Sequence, residues 1–270
     1  MSLQAQLKAD FGKDLPISGG LGQTVLDPIK VMTADRELAS VTMLDVMRCI
    51  YGSLGWHWLV LQWDIASAET GHIEKVTARV KHAKGTVVIT EQRSLYFDVS
   101  AVKDRTVGRH TFPIVRLPLP TRMNLPRQIG WFYFDGLIDN TTVDRGLGVS
   151  VAYSAPHAKM TIFVYDKGLG DSIQTDPDGC AKLEFEQAVL EFESVSRDAI
   201  VVHEHEERGV RIRLYETEGV MHAVAMAPFN EYFFKMRLTQ EDSHEKFLVD
   251  CAWQTISTFA LLVGQRHGNS

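Results

Sequence analysis

The stretch GLGVSVAYSAPHAKMTIFVYDKG, residues 146–168, decides the fold of this chain. Two runs rich in β-branched and aromatic residues, 149–153 and 160–165, flank the turn sequence Ser-Ala-Pro-His-Ala. In the second run alternate side chains point to opposite faces, and both faces are largely apolar. The pattern predicts a hairpin whose second strand lies inside a sheet and is covered on both sides, with helices over it.

Working outward from this hairpin, the pattern predicts that the second half of the chain is one α+β unit. A helix is predicted over about 180–197, with Phe185, Ala188, Val189, Phe192 and Val195 on its apolar stripe and Glu184, Glu186, Glu191 and Glu193 outside that stripe. Further strands are predicted at 131–134, 200–205, 210–216, 221–226 and 232–238, and a closing helix at about 242–265.

The first half predicts a second α+β domain. A helix over 37–54, with Asp35 as its cap, precedes the strand WHWLVLQWDI at 56–65. The meander strands that follow are predicted at 73–81, 86–90 and 95–99. Four prolines between residues 111 and 127 then indicate a stiff connector. The sequence therefore predicts two domains, 1–120 and 121–270.

Several motifs of the second half occur in a characteristic order. A Gly-x-Gly-x-x-x-x-Tyr stretch at Gly146, Gly148 and Tyr153 is followed by a strand ending in Asp-Lys-Gly168, an acidic helix and the strand that follows Asn230. This order, over residues 130–265, resembles the Mog1/PsbP-like family. The resemblance implies an antiparallel sheet of about six strands sandwiched by helices, and a binding or accessory role without shared catalytic residues. A fold does not fix a function, so no partner is transferred with it.

Composition indicates a soluble globular protein, with 45% hydrophobic and 23% charged residues. The three cysteines are far apart and form no disulfide or zinc pattern. The N-terminus lacks the apolar core of a signal peptide, and no apolar run reaches the roughly 18 residues that a membrane helix needs. We therefore expect a cytoplasmic protein that does not bind a membrane.

Charge divides the chain. Residues 1–120 carry 14 Lys and Arg against 12 Asp and Glu, whereas residues 121–270 carry 14 against 22, so the halves are +2 and −8. Nine basic residues lie between 75 and 116, but without interleaved aromatic platforms or a known module they predict a solvated strand face and no nucleic-acid partner. The acidic half predicts a protein partner with a basic surface, or contact with the basic segment of the first half.

Tryptophans supply one candidate ligand site. Alternation along 56–65 places Trp56 and Trp58 on one strand face and Trp63 on the other. These three residues are candidates for an aromatic ligand shelf, although tryptophans at this spacing are more often part of the core.

Histidines supply a candidate metal site. In a strand, His203, His205 and Glu207 project from one face and could hold zinc. The same run faces Arg211 and Arg213 across a predicted turn, so cross-strand charge pairing explains these residues without a metal.

The sequence contains no nucleophile elbow, metalloprotease helix or phosphate-binding loop, and we expect no cofactor. The leading hypothesis is a non-catalytic protein-binding or accessory protein. The alternative is a small-molecule or metal-dependent enzyme with its site in the cleft between the domains. The sequence makes no prediction of the oligomeric state.

Overall fold

The computed structural model describes residues 2–12, 14–66, 72–84, 87–103, 114–119, 124–207 and 209–241. The chain divides into two compact units, Met1–Ile114 and Val115–Ser270. The predicted boundary at residue 120, with two domains that fold independently, stays a prediction. The predicted helix at 242–265 lies outside the described residues. None of the helices in the described ranges is long and apolar enough to cross a membrane.

In its described residues the first unit combines two helices with a five-stranded sheet. Its elements are α1 (Leu3–Phe11), β1 (Ile17–Gly19), β2 (Ile29–Val31), α2 (Arg36–Ser53), β3 (His57–Ile65), β4 (Ile73–Lys84) and β5 (Val87–Asp98). The strand order is β1-β2-β5-β4-β3. Strands β3, β4 and β5 form an antiparallel meander, whereas β2 pairs with β5 in parallel.

Helix α2 begins as the sequence predicts. The side chain of Asp35 accepts a 2.7 Å hydrogen bond from the backbone N–H of Leu38, which satisfies a donor at the start of the helix. Its buried side chains include Met43, Leu44 and Met47. These residues recur at helical spacing, so one face of α2 belongs to the core of the first unit.

A β-bulge in β3 corrects the predicted tryptophan faces. Val60 lies opposite Ala78 and Gln62 lies opposite Thr77, so Leu61 is an extra residue in the strand. Beyond the bulge the alternation is inverted. Trp63 therefore shares a face with Trp58, and the prediction that they lie on opposite faces is wrong.

The second unit is dominated by one antiparallel sheet. Its first elements are β6 (Ile114–Arg116), β7 (Asn124–Pro126), β8 (Gln128–Ile129), β9 (Phe132–Asp139), a 3-10 turn (Arg145–Leu147), β10 (Val149–Ala155) and β11 (Ala158–Tyr165). There follow α3 (Gly170–Thr175), α4 (Pro177–Val195), β12 (Ile200–Glu207), β13 (Val210–Thr217), β14 (Val220–Phe229) and β15 (Tyr232–Glu241). The large sheet has the order β12-β13-β14-β15-β11-β10-β9-β8, and β6 pairs with β7 separately. The chain is thus α+β, and its described residues place eight strands in this sheet rather than about six.

The central hairpin lies in the interior of this sheet. Strands β10 and β11 pair antiparallel and are joined by Pro156 and His157, and the φ of 56° at His157 closes the turn. Strand β11 also pairs with β15, so it has a neighbour on each side. On one face Met160, Ile162 and Val164 are buried, and on the other Tyr165 is buried. Both faces of β11 therefore contribute to cores, as the apolar pattern predicts.

The two sheet faces bury different clusters. One face contributes a large aliphatic cluster from β8 to β15 that includes Val151, Ile162, Ala225 and Met236. The opposite face packs against α3 and α4 through a second cluster that includes Tyr165, Phe185, Tyr215 and Phe233. These helices cover one face of the sheet and fix the side chains on β11, β13, β14 and β15 that point toward them.

A glycine fixes the entry to the central hairpin. Gly148 has φ of 60° and ψ of −137°, a conformation open essentially to glycine alone. A Cβ at this position would lie 1.8 Å from the carbonyl oxygen of Val164. The close approach of the two chain segments therefore requires glycine.

Helix α4 differs from its predicted stripe at two positions. The side chain of Asp176 accepts from the N–H of Gly179 at 3.0 Å and caps the helix. Val195, predicted on the apolar stripe, is 81% exposed because it lies in the last turn. Glu184, predicted outside the stripe, is buried. It shares a helix face with buried Ala181 and Ala188, and polar partners on the sheet satisfy its carboxylate.

Candidate functional site

The edge of the large sheet presents an apolar strand segment. Among the described residues β12 pairs on one side only, with β13. Ile200, Val201 and Val202 are 68%, 44% and 45% exposed, and the nearby Val195 at the end of α4 is 81% exposed. Three consecutive exposed aliphatic residues on a strand edge are uncommon, because such edges pair readily with other chains. We refer to Ile200–Glu207 as the β12 edge.

A bulge interrupts this edge. Val201 lies opposite Tyr215 and His203 lies opposite Leu214, so Val202 is the extra residue. Bulges increase the local twist of an edge and redirect its side chains. The bulge therefore separates an aliphatic first part of the β12 edge from a charged second part.

Ion pairs hold the charged part of the edge against the sheet. Glu204 pairs with Arg213, and Arg213 Nη1 also lies 3.3 Å from Glu193 Oε1 on α4. Glu206 Oε1 lies 2.7 Å from Arg211 Nη2. The cross-strand charge pairing that the sequence offered as one interpretation is therefore present, and it links β12, β13 and α4.

The candidate zinc ligands lie on the opposite face of the strand from these ion pairs. His203 and His205 are opposite Leu214 and Ile212, and their ring centroids are 6.3 Å apart with planes at 23°. The side chain of Glu207 is not among those described. Within the described ranges no three His, Cys, Asp or Glu side chains are grouped to hold a metal ion. A zinc site that includes Glu207 stays a prediction.

Two of the three candidate tryptophans belong to the core of the first unit. Trp58 and Trp63 are 2% and 9% exposed. The indole N–H of Trp63 donates a 2.7 Å hydrogen bond to Glu74 Oε2. Arg36 donates to both carboxylate oxygens of Glu74, at 2.6 and 3.0 Å. The indole of Trp63 thus helps to satisfy a buried carboxylate.

Trp56 lies in a partly exposed stack. Its ring is 4.2 Å from that of His82 with planes at 13°, and 6.4 Å from that of Tyr51 with planes at 10°. The guanidinium of Arg93 lies 4.7 Å from the indole centroid, within range of a cation–π contact. Burial raises the pKa of Tyr51 to about 12. A ligand-binding role for Trp56, Trp58 or Trp63 stays a prediction.

A buried polar cluster that the sequence analysis did not predict lies beneath α4. Glu184 accepts 2.7 Å hydrogen bonds from the hydroxyl of Tyr165 and from Nζ of Lys167. Burial, with the neighbouring Glu184 carboxylate, raises the pKa of the Tyr165 hydroxyl, which therefore stays a donor. The helical spacing of Glu184 from Ala181 and Ala188 was the signal in the sequence that could have revealed it.

A half-buried lysine lies beside this cluster. Lys235 Nζ is 5.3 Å from the ring centroid of Phe163 and 5.2 Å from that of Tyr165. Burial lowers the pKa of the Lys235 ammonium, the charge of Arg237 lowers it further, and Glu191 and Glu184 oppose both effects. The hydrogen bond between Tyr165 and Glu184 fastens α4 to β11, and the contacts of Lys235 join β15 to β11, so the cluster is part of the packing of the second unit.

Comparison with known proteins identifies no family. No family model and no curated protein matches the chain. One solved structure is similar to it: the immunity protein TplEi of T6SS from Pseudomonas aeruginosa, complexed with "L" peptide. The identity is 10%, the match covers 84% of each chain and the TM-score is 0.24. A TM-score this low supports no inference about fold or function.

Proposed function

We propose that this chain is a non-catalytic protein-binding protein of the cytoplasm, and that its second unit receives an extended segment of a partner along the β12 edge. The observation that carries the proposal is a strand that pairs on one side only within the described ranges and that carries three exposed aliphatic side chains in succession. Strand addition to such an edge gains main-chain hydrogen bonds for affinity and side-chain contacts for specificity.

Charge defines the chemistry of the partner. The second half of the chain carries a formal charge of −8, from 14 basic and 22 acidic residues. Long-range attraction therefore favours a segment with Lys or Arg and disfavours an acidic one. The expected partner segment alternates basic residues with aliphatic residues, the latter packing on the exposed aliphatic side chains of residues 200–202.

The proposal includes a Mog1/PsbP-like second domain at 121–270. The order of its motifs supports that assignment, since the hairpin β10–β11, the acidic helix α4 and strand β15 follow one another as the resemblance implies. We expect residues 121–270 to fold when expressed alone. Loss of cooperative unfolding in that fragment would contradict the domain boundary.

The test uses two synthetic peptides as probes, one alternating Val with Lys and one alternating Val with Glu. Binding of the labelled peptides to the full chain is followed by fluorescence anisotropy and by amide chemical shifts. We expect the Val-Lys peptide to bind, to perturb the amides of β12 and to weaken steeply with salt. The Val-Glu peptide should not bind.

A pair of matched variants locates the contact. Ile200→Lys with Val202→Lys places repulsive charge on the edge, in the way natural edges are protected. Leu183→Lys with Leu190→Lys makes the same change on the outer side of α4, where these leucines are 69% and 61% exposed. The first pair should abolish peptide binding and the second should leave it unchanged. Equal binding by both pairs, or shifts confined to other strands, would rule out the β12 edge.

A further inference from the structure

A rigid apolar loop in the first unit lies outside the proposed binding edge. Residues 20–28, GLGQTVLDP, connect β1 to β2, and Gly19 pairs with Ile29 at the base of the loop. At its tip Leu26 is 92% exposed, and Val25 and Leu21 are 39% and 52% exposed. The loop thus projects three aliphatic side chains into solvent.

Hydrogen bonds within the loop fix its shape. Backbone donors at Gly20 and Gly22 reach the carbonyl oxygens of Pro28 and Asp27 at 3.1 and 2.8 Å. The Asp27 carboxylate accepts from the N–H of Leu21 at 3.0 Å. The N–H of Tyr96 donates to the carbonyl of Gly22 at 2.8 Å and ties the loop to β5. A loop held in this way loses little conformational entropy when it binds.

Close packing at the glycines reinforces this rigidity. A Cβ on Gly20 would lie 1.8 Å from Asp27 Oδ1, and one on Gly22 would lie 2.8 Å from Ile29 Cδ1. Gly22 also has φ of 71°, in the left-handed region that favours glycine. Both glycines are therefore needed for the conformation that presents the tip.

The two residues at the tip are not of the types that usually occupy the central positions of a β-turn. The N–H of Asp27 donates to the carbonyl of Thr24 at 3.2 Å, so Val25 and Leu26 are the two central residues of a β-turn. Pro, Gly, Asn, Asp and Ser favour these positions, and a leucine there gains no packing in the unit. Departures from local preference without a structural gain are typical of functional sites.

We propose that the loop is a docking element whose tip, Leu26 with Val25, inserts into an apolar pocket with an uncharged rim on a folded partner protein. Among residues 20–28 Asp27 is the one charged residue, and its carboxylate is turned toward the N–H of Leu21. A loop that inserted into an anionic membrane would carry Lys or Arg beside its apolar residues, and residues 20–28 contain neither. The uncharged tip therefore fits a protein pocket better than a lipid surface.

The test begins with a photo-reactive benzoylphenylalanine at position 26 of the full chain, expressed in its source cells. The control carries the same residue at position 143, where Val143 is 83% exposed in the other unit. The protein that cross-links from position 26 alone is then purified. Its affinity is measured for the wild-type chain, Leu26→Ser, Val143→Ser and Asp27→Ala.

We expect Leu26→Ser to weaken binding about tenfold or more, as truncation of an anchor residue does. Val143→Ser should bind like wild type. Asp27→Ala keeps the apolar tip but loosens the loop, so it should weaken binding by a smaller factor than Leu26→Ser does. The circular dichroism spectrum of this variant should match that of the wild type. Four results would overturn the proposal: no cross-link specific to position 26, unchanged affinity of Leu26→Ser, a cross-linked product that is a second copy of this chain, or Leu26-dependent sedimentation with vesicles of phosphatidylcholine and phosphatidylglycerol.

Discussion

The hydroxyl of Tyr165 on β11 donates a 2.7 Å hydrogen bond to Oε1 of Glu184 on α4, and both side chains are buried. Lys167 completes the site by donating to Oε2 at 2.7 Å. A buried carboxylate is tolerated only when such donors replace its hydration. The contact therefore fixes where α4 lies on the sheet, in a way that apolar packing alone does not.

Replacing Glu184 with alanine should destabilise the protein. The change leaves the buried Tyr165 hydroxyl without its acceptor, and we expect a loss of about 1–3 kcal/mol in the free energy of unfolding. Urea denaturation measures this loss. Glu186→Ala, an exposed carboxylate on the same helix, should change stability by less than about 0.5 kcal/mol. Equal effects of the two variants would contradict the role of the hydrogen bond.

The indole N–H of Trp63 should contribute measurably to the first unit. Trp63→Phe retains an aromatic ring but removes the donor to Glu74, and we expect a loss of about 1–2 kcal/mol. The same substitution made in a Glu74→Met background should cost less, since the acceptor is already absent. A double-mutant cycle on urea midpoints tests this, and strict additivity would exclude the coupling.

Gly148→Ala should be severely destabilising, because the new Cβ meets the Val164 carbonyl and φ is positive. We expect a loss of about 3 kcal/mol or more. Gly219→Ala is the matched control, since Gly219 has φ of 78° but no atom lies within 4 Å of the place that its new Cβ would take. That variant should lose only about 1–2 kcal/mol. Thermal melts of both variants separate the loss of stability caused by the Cβ clash from the loss caused by the positive φ.

His222 should make stability fall in mild acid. Burial lowers the pKa of this imidazole below its ordinary 6.5. The unfolded chain therefore takes up a proton first as the pH falls, and the contribution of His222 to stability, complete above about pH 6.5, is lost on acidification. NMR titration should place the His222 pKa below 6.5. Between pH 7.5 and 5.5, His222→Gln should lose less stability than the wild type.

Local patterns in the sequence were sufficient to predict several elements of the fold. The alternation on both sides of Pro156 predicted the central hairpin, and Asp35 caps α2 as the sequence predicts. These features depend on neighbours in sequence. The strand β5 (Val87–Asp98) was predicted as two runs, 86–90 and 95–99, because its polar middle part is held by pairing with β4 rather than by its own apolar pattern.

The remaining features depend on contacts between distant segments. A period of two cannot reveal the bulges at Leu61 and Val202, so it placed Trp63 on the wrong face. The hydrogen bond from Tyr165 to Glu184 joins two separate elements, and the pattern of neither element predicts it. The exposure of Ile200 likewise follows from the outer position of β12 among the described strands of the sheet, which is a property of topology and not of composition.

The hydrogen bond from Tyr96 to Gly22 makes the attachment of the apolar loop to the sheet conditional on a strand synthesised much later. While the ribosome is still producing β3 and β4, the loop can form its internal hydrogen bonds but is not yet held by β5. Only when β5 has joined β2 does the tip acquire a fixed placement on the first unit. A partner that recognises that geometry would discriminate finished molecules from nascent ones.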